Sequence, residues 1–152
     1  MNMVMEPREQ ALVGQRSHTP AASAPAPASR RGTWAGRIIG GLPALFLLMD
    51  GAMKLAKPEP VVKATVELGF RESSIVPIGI VLLASTVLYL VPSTAVLGAI
   101  LLTGYLGGAV ATHVHAGQGA FSILFPVLFG ALLWTGLYLR DARLRALVPL
   151  RR

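Results

Sequence analysis

The sequence predicts an all-α protein, a four-transmembrane-helix bundle and polytopic membrane protein with both termini cytoplasmic. Three observations lead there. The 67 residues from Ser73 to Leu139 contain no Asp, Glu, Lys or Arg. Only 14% of the chain is charged and 53% is hydrophobic, whereas soluble proteins are about 25% charged. The uncharged run is interrupted at two turn-like places, Pro92-Ser93-Thr94 and His113–Gly119. As continuous helix at 1.5 Å per residue the run would extend roughly 100 Å, about three crossings of a 30 Å hydrocarbon core.

Residues 1–33 are rich in Pro, Ala and Ser, including the stretch AASAPAPAS from Ala21 to Ser29. Such a segment buries too little apolar surface to offset its ordering entropy, so a disordered extension is expected. Ser29-Arg30-Arg31 matches the start of a twin-arginine signal, but no A-x-A cleavage site follows, and flanking positive charge explains the pair more simply. The first helix is expected at 34–53, with Trp34 at the interface, Arg37 snorkelling to it, Pro43 inside, and Asp50 and Lys54 at its far end. The loop after it is amphipathic. Pro58-Glu59-Pro60 can start a short helix through Leu68, with Gly69 as its stop signal. The remaining helices are expected at 75–91, 95–112 and 120–139, the last containing Pro126 and ending near Trp134 and Tyr138. Short connections make consecutive helices antiparallel neighbours in one membrane domain, 34–140, followed by a basic tail, 141–152.

The net charge of +7 would suit nucleic acid if the charges were clustered on one soluble face. They sit instead at the two ends and in one loop, beside apolar segments. They read as topology determinants and contacts to anionic lipid headgroups, so the expected partner is the bilayer and not nucleic acid. Arg8, Arg16, Arg30, Arg31, Arg37, Arg140, Arg143, Arg145, Arg151 and Arg152 fall on one side. Lys54, Lys57, Lys63 and Arg71 fall on the other. Ten against four predicts both termini inside.

The topology brings Asp50 and Lys54, at the end of the first helix, near Tyr105, Thr112 and His113, in the corresponding half of the third. Spacings of four place Tyr105, Ala109 and His113 on one helix face. These five polar residues form a candidate ligand site roofed by the amphipathic loop, because ionisable groups at membrane depth are costly unless used. Plainer readings stand beside it: Asp50 and Lys54 only pair with each other at i, i+4, His113 is a wet interfacial residue, and Tyr105 bonds across the bundle. Haem is not expected, since no pair of axial ligands faces across the bundle, and metal-ligand spacing is absent. The chain has no cysteine, which excludes CxxC redox centres, thiolate zinc sites and disulfides. Gly36/Gly40 and Gly104/Gly108 are two GxxxG pairs, expected to pack helices within the chain, with homo-oligomerisation left open.

The segment Leu97–Gly117 (LGAILLTGYLGGAVATHVHAG), the stretch Pro43–Pro60 with Gly51 and Lys54 in a G-x-x-K-L pattern, and the tail Leu137–Leu147 (LYLRDARLRAL) occur in that order. Together they resemble the DoxX-like family of small bacterial integral membrane proteins. The resemblance implies a four-helix fold and an inner-membrane location. It also implies an accessory role, more than a stand-alone enzyme, in quinone-linked or oxidative-stress processes. Quinone is the implied ligand, and a membrane or peripheral redox protein the implied partner. Lys54, Tyr105 and His113 are the positions it marks, while Asp50 departs from the less polar residue the family suggests. The alternative is a non-enzymatic scaffold or partner-binding protein. A small transporter is disfavoured by the scarcity of intramembrane charge and the lack of an inverted repeat.

Overall fold

The structure, a computed structural model, describes residues 30–147; the expected disorder of residues 1–29 and the end of the tail at 148–152 lie outside them. The described chain is α-helical throughout, in the order α1 (Arg30–Ala56), α2 (Glu59–Glu67), a 3-10 turn (Glu72–Ser74), α3 (Ile75–Leu90), α4 (Ala95–His115), α5 (Ala120–Arg140) and α6 (Ala142–Leu147). Four of these helices are long and apolar enough to cross a membrane, and only 22% to 33% of each span is buried inside the protein. The remainder, including Leu42, Leu45, Phe121 and Leu124, is exposed in a way that only lipid makes favourable. The protein is a polytopic helical membrane protein.

The four spans form a ring. α1 packs on α3 and α5, and α4 packs on the same two helices. α1 and α4 therefore face each other across one diagonal. The interior is built from Ala44, Leu47, Leu82, Tyr89, Ala99, Leu102, Leu106, Leu133 and Leu137. In lipid, such contact depends on close fit because there is little hydrophobic drive between helices. Close fit comes from glycine. A Cβ on Gly136 of α5 would lie 2.5 Å from the Gly40 Cα and 2.8 Å from the Gly36 carbonyl oxygen, so the first GxxxG pair seats α1 on α5 backbone to backbone. At the same end, Tyr89 donates from its hydroxyl to the Leu133 carbonyl at 2.9 Å. Arg140 donates to the Tyr89 carbonyl at 2.8 Å and stacks 4.6 Å above its ring. The tight turn between α3 and α4 brings Gly98 against the Tyr89 backbone, with no room for a side chain.

Several boundaries differ from the sequence reading. α1 already begins at Arg30, inside the stretch assigned to the extension. Arginine is a good helix former, so the helical run extends back through it. α4 runs three residues past its expected end, so His113 and His115 are helical rather than part of a turn. It stops at a Schellman motif: Gly117, at φ +63°, donates to the Val114 carbonyl and Gln118 to that of His113. The start of the basic tail is the short helix α6, which buries Leu144 in the core.

Candidate functional site

At the end of the bundle opposite Arg140, the ring opens into a cavity of about 630 Å3. α2 crosses its mouth. Pro60 sits in the first turn of α2, where a missing N–H costs nothing. A second Schellman motif ends it: Gly69, at φ +89°, donates to Val66, and Phe70 donates to Thr65. Pro60, Val61, Ala64, Thr65 and Leu68 face the cavity from this lid. Thr65 is buried and returns its hydroxyl to the Val61 carbonyl, so it adds little polarity. Lys57, in the left-handed region at φ +50°, caps α1 by donating to the Met53 carbonyl. Its ammonium reaches Glu72 at 2.6 Å, tying the start of the lid to the 3-10 turn after it.

All five polar residues singled out in the sequence line this one cavity: Asp50 and Lys54 from α1, and Tyr105, Thr112 and His113 from α4. They differ in what they offer. Lys54 places its ammonium 2.6 Å from each carboxylate oxygen of Asp50. The pairing reading and the site reading thus describe the same two residues, held as one neutral, partly buried unit with 15% of the Lys54 side chain and 33% of the Asp50 side chain exposed. Thr112 spends its hydroxyl proton on the Gly108 carbonyl. His113 is oriented by Gln118, whose side-chain oxygen lies 2.9 Å from Nδ1, leaving Nε2 as the second ring nitrogen. The Tyr105 hydroxyl makes no hydrogen bond among the described residues, so it does not bond across the bundle. It is a donor facing the cavity. No three His, Asp or Glu side chains converge among the described residues as a metal centre would need.

The geometry explains the G-x-x-K pattern. A Cβ on Gly79 of α3 would meet the Lys54 Cβ at 2.8 Å and the Gly51 carbonyl oxygen at 3.1 Å. Gly51 and Lys54 thus straddle a point where α3 comes close to α1. The second GxxxG pair behaves differently from the first. A Cβ at Gly104 or Gly108 would meet nothing within 4 Å, and both residues line the cavity. They do not pack helices within the chain. Their missing side chains leave space beside Tyr105.

The sequence reading missed the aromatic wall. Phe46 packs edge-on against Phe125 and Phe129 at centroid distances of 5.6 and 5.1 Å, and Phe125 lies 4.5 Å from Phe129. All three line the cavity, as does Pro126 between them. Phe121, Phe125 and Phe129 recur at intervals of four, so a single helix face was available as the signal. No curated protein and no solved structure matches the chain. Residues 38–136, which run from the first span through the glycine that seats α5 on α1, match the DoxX-like family, and the chain belongs to that family.

Proposed function

We propose that this protein is a bacterial inner-membrane accessory subunit that holds a quinone-type ligand in the cavity beneath α2, in support of a membrane redox process. The observation that carries the reading is the pairing of the Tyr105 hydroxyl with the Phe46, Phe125 and Phe129 wall in one cavity. A volume of about 630 Å3 falls within the range of small-molecule sites, which are mostly apolar with a few placed polar groups. An aromatic wall favours a flat ring through offset and edge contacts. Tyr105 supplies a hydrogen bond to a ring carbonyl, and Lys54 and His113 stand at the same polar rim. A quinone would contribute two-electron chemistry; the chain's own residues bind and orient its ring. Arg37 of α1, Arg140 of α5, and Arg143 and Arg145 of α6 lie toward the Arg140 end, which supports both termini in the cytoplasm and the cavity in the outer leaflet.

The test is purification in native lipid, mass spectrometry of retained lipids, quinones and proteins, and titration with a short-chain ubiquinone. The expected result is retained or saturable quinone, with affinity reduced about tenfold by Tyr105→Phe, as for loss of one buried hydrogen bond, and lowered by Lys54→Met and by His113→Ala. Protein that neither retains nor binds quinone in a lipid bilayer refutes the reading. Stable co-purification of another protein, indifferent to Tyr105 and His113 substitutions, would replace it with the scaffold reading.

A further inference from the structure

We infer that Asp50 sets the charge selectivity of the cavity, so that it admits neutral amphiphiles with a hydrogen-bond-accepting head group and refuses anionic ones. This rests on the reading of the cavity as an amphiphile site, and it goes beyond it in naming what is excluded. Lys54 is the one Lys or Arg among the lining residues, and Asp50 is the one Asp or Glu. A lone lysine at such a rim would select carboxylates, sulfonates or phosphates, the commonest head groups among single-chain lipids. Here the ammonium is already held 2.6 Å from both oxygens of Asp50. An anionic head approaching Lys54 must come alongside the Asp50 carboxylate, in surroundings where 15% and 33% of the two side chains are exposed and solvent screens little. The repulsion cancels the attraction, and the anion has lost its hydration for nothing.

A neutral head meets no such obstacle. The Tyr105 O–H has no acceptor among the described residues, and Lys54 has a third N–H beyond the two directions taken by Asp50. These groups donate, so the head they fit accepts: a carbonyl, ether or hydroxyl oxygen. The phenylalanine wall receives the apolar part. Asp50 is thus a built-in counter-ion whose position occupies the charge that an acid would use.

The experiment uses the full chain in nanodiscs of zwitterionic lipid and three probes of equal alkyl length: an alkyl glycerol ether, an alkyl sulfonate and an alkyl trimethylammonium. The sulfonate and the ammonium keep their charge at every working pH. The unsubstituted protein is expected to bind the ether at least about tenfold more tightly than either ion. Asp50→Asn exposes Lys54 and should raise sulfonate affinity at least about tenfold relative to the ether; Lys54→Met exposes Asp50 and should do the same for the ammonium probe. The two variants report independently, so one that fails to fold leaves the other decisive. If the ranking of the probes is the same in the unsubstituted protein and in whichever variants fold, the inference is overturned while ether or quinone binding keeps the cavity as a ligand site. If neither the ether nor a quinone binds, the cavity reading falls and this inference with it.

Discussion

Replacing Gly136 with alanine adds one methyl group where two helices meet at backbone distance. The new Cβ would stand 2.5 Å from both the Cα and the N of Gly40, and 2.8 Å from the Gly36 carbonyl oxygen. Carbon atoms rest at about 3.5–4.0 Å, so α1 and α5 must part by roughly 1 Å. All three obstructing atoms belong to backbone, and no side-chain rotation relieves the overlap. Overpacking of this kind costs about 1–3 kcal/mol, and a backbone clash belongs at the upper end. Alanine returns about 0.5–1 kcal/mol of helix propensity, leaving a net loss of about 2 kcal/mol. Gly104→Ala is the matched comparison. It makes the same chemical change in a helix interior, but its Cβ meets nothing within 4 Å. It should be neutral or stabilising by about 0.5–1 kcal/mol. The two variants are therefore separated by about 2–3 kcal/mol, roughly thirtyfold to over a hundredfold in an unfolding equilibrium. Reversible unfolding in mixed detergent micelles, followed by circular dichroism, measures the difference. Equal stability of the two variants would refute the argument that α1 and α5 are in backbone contact.

Gly98→Ala should be at least as damaging, because its methyl would overlap the Tyr89 backbone and displace the residue that bonds Leu133 and stacks under Arg140; a loss of about 3 kcal/mol, read as a collapse of the monodisperse fraction on size exclusion, is expected. Trp134→Phe removes the indole N–H donated to the Thr103 hydroxyl at 2.8 Å across α5 and α4. It should cost about 1 kcal/mol in the same unfolding assay, the scale of interhelical hydrogen bonds in membranes. Lys57→Gly, made on a Glu72→Gln background so that the ion pair is already absent, should stabilise by about 0.5–1 kcal/mol because glycine accepts positive φ without strain; a loss instead would mean that the Lys57 side chain packs more than it strains.

The spans were legible because their signal is long-range and one-sided. A 67-residue run without charge admits few structures other than membrane helices. The gathering of Asp50, Lys54, Tyr105, Thr112 and His113 was legible too, since antiparallel order and spacings of four place them at one end. The ends of helices were less so. The polar histidines and the glycines after Thr112 suggest a turn beginning at His113, yet the stop depends on where Gly117 adopts its left-handed conformation. A Gly-rich sequence offers several such places. The phenylalanine wall was missed for a different reason: in a lipid-facing helix, apolar residues point outward as readily as inward, so periodicity does not tell core from surface. The two GxxxG pairs look alike in sequence for a related reason. Whether a small face receives a neighbour depends on which helix the ring places beside it.

That difference between the two glycine pairs accounts for the cavity itself. At the Arg140 end, Gly36, Gly40, Gly98 and Gly136 draw three contacts to backbone distance, and Tyr89 fills what remains. At the other end, α1 and α5 are separated by phenyl rings meeting edge to face, Phe46 against Phe125 and Phe129. Helices pinned close at one end and spaced by aromatic side chains at the other must diverge. Divergence opens the centre of the ring between α1 and α4, which pack chiefly on α3 and α5 rather than on each other. Gly104 and Gly108 face into the opening, where larger side chains would refill it. In a bundle without strong hydrophobic drive between helices, such a gap persists only if something lines or occupies it. The residues set at this end, a neutral ion pair, a tyrosine hydroxyl with no hydrogen bond among the described residues and an amphipathic lid, are the ones a neutral amphiphile would need. The taper that glycine builds into the fold and the polarity arranged at its wide end therefore argue for the same occupant.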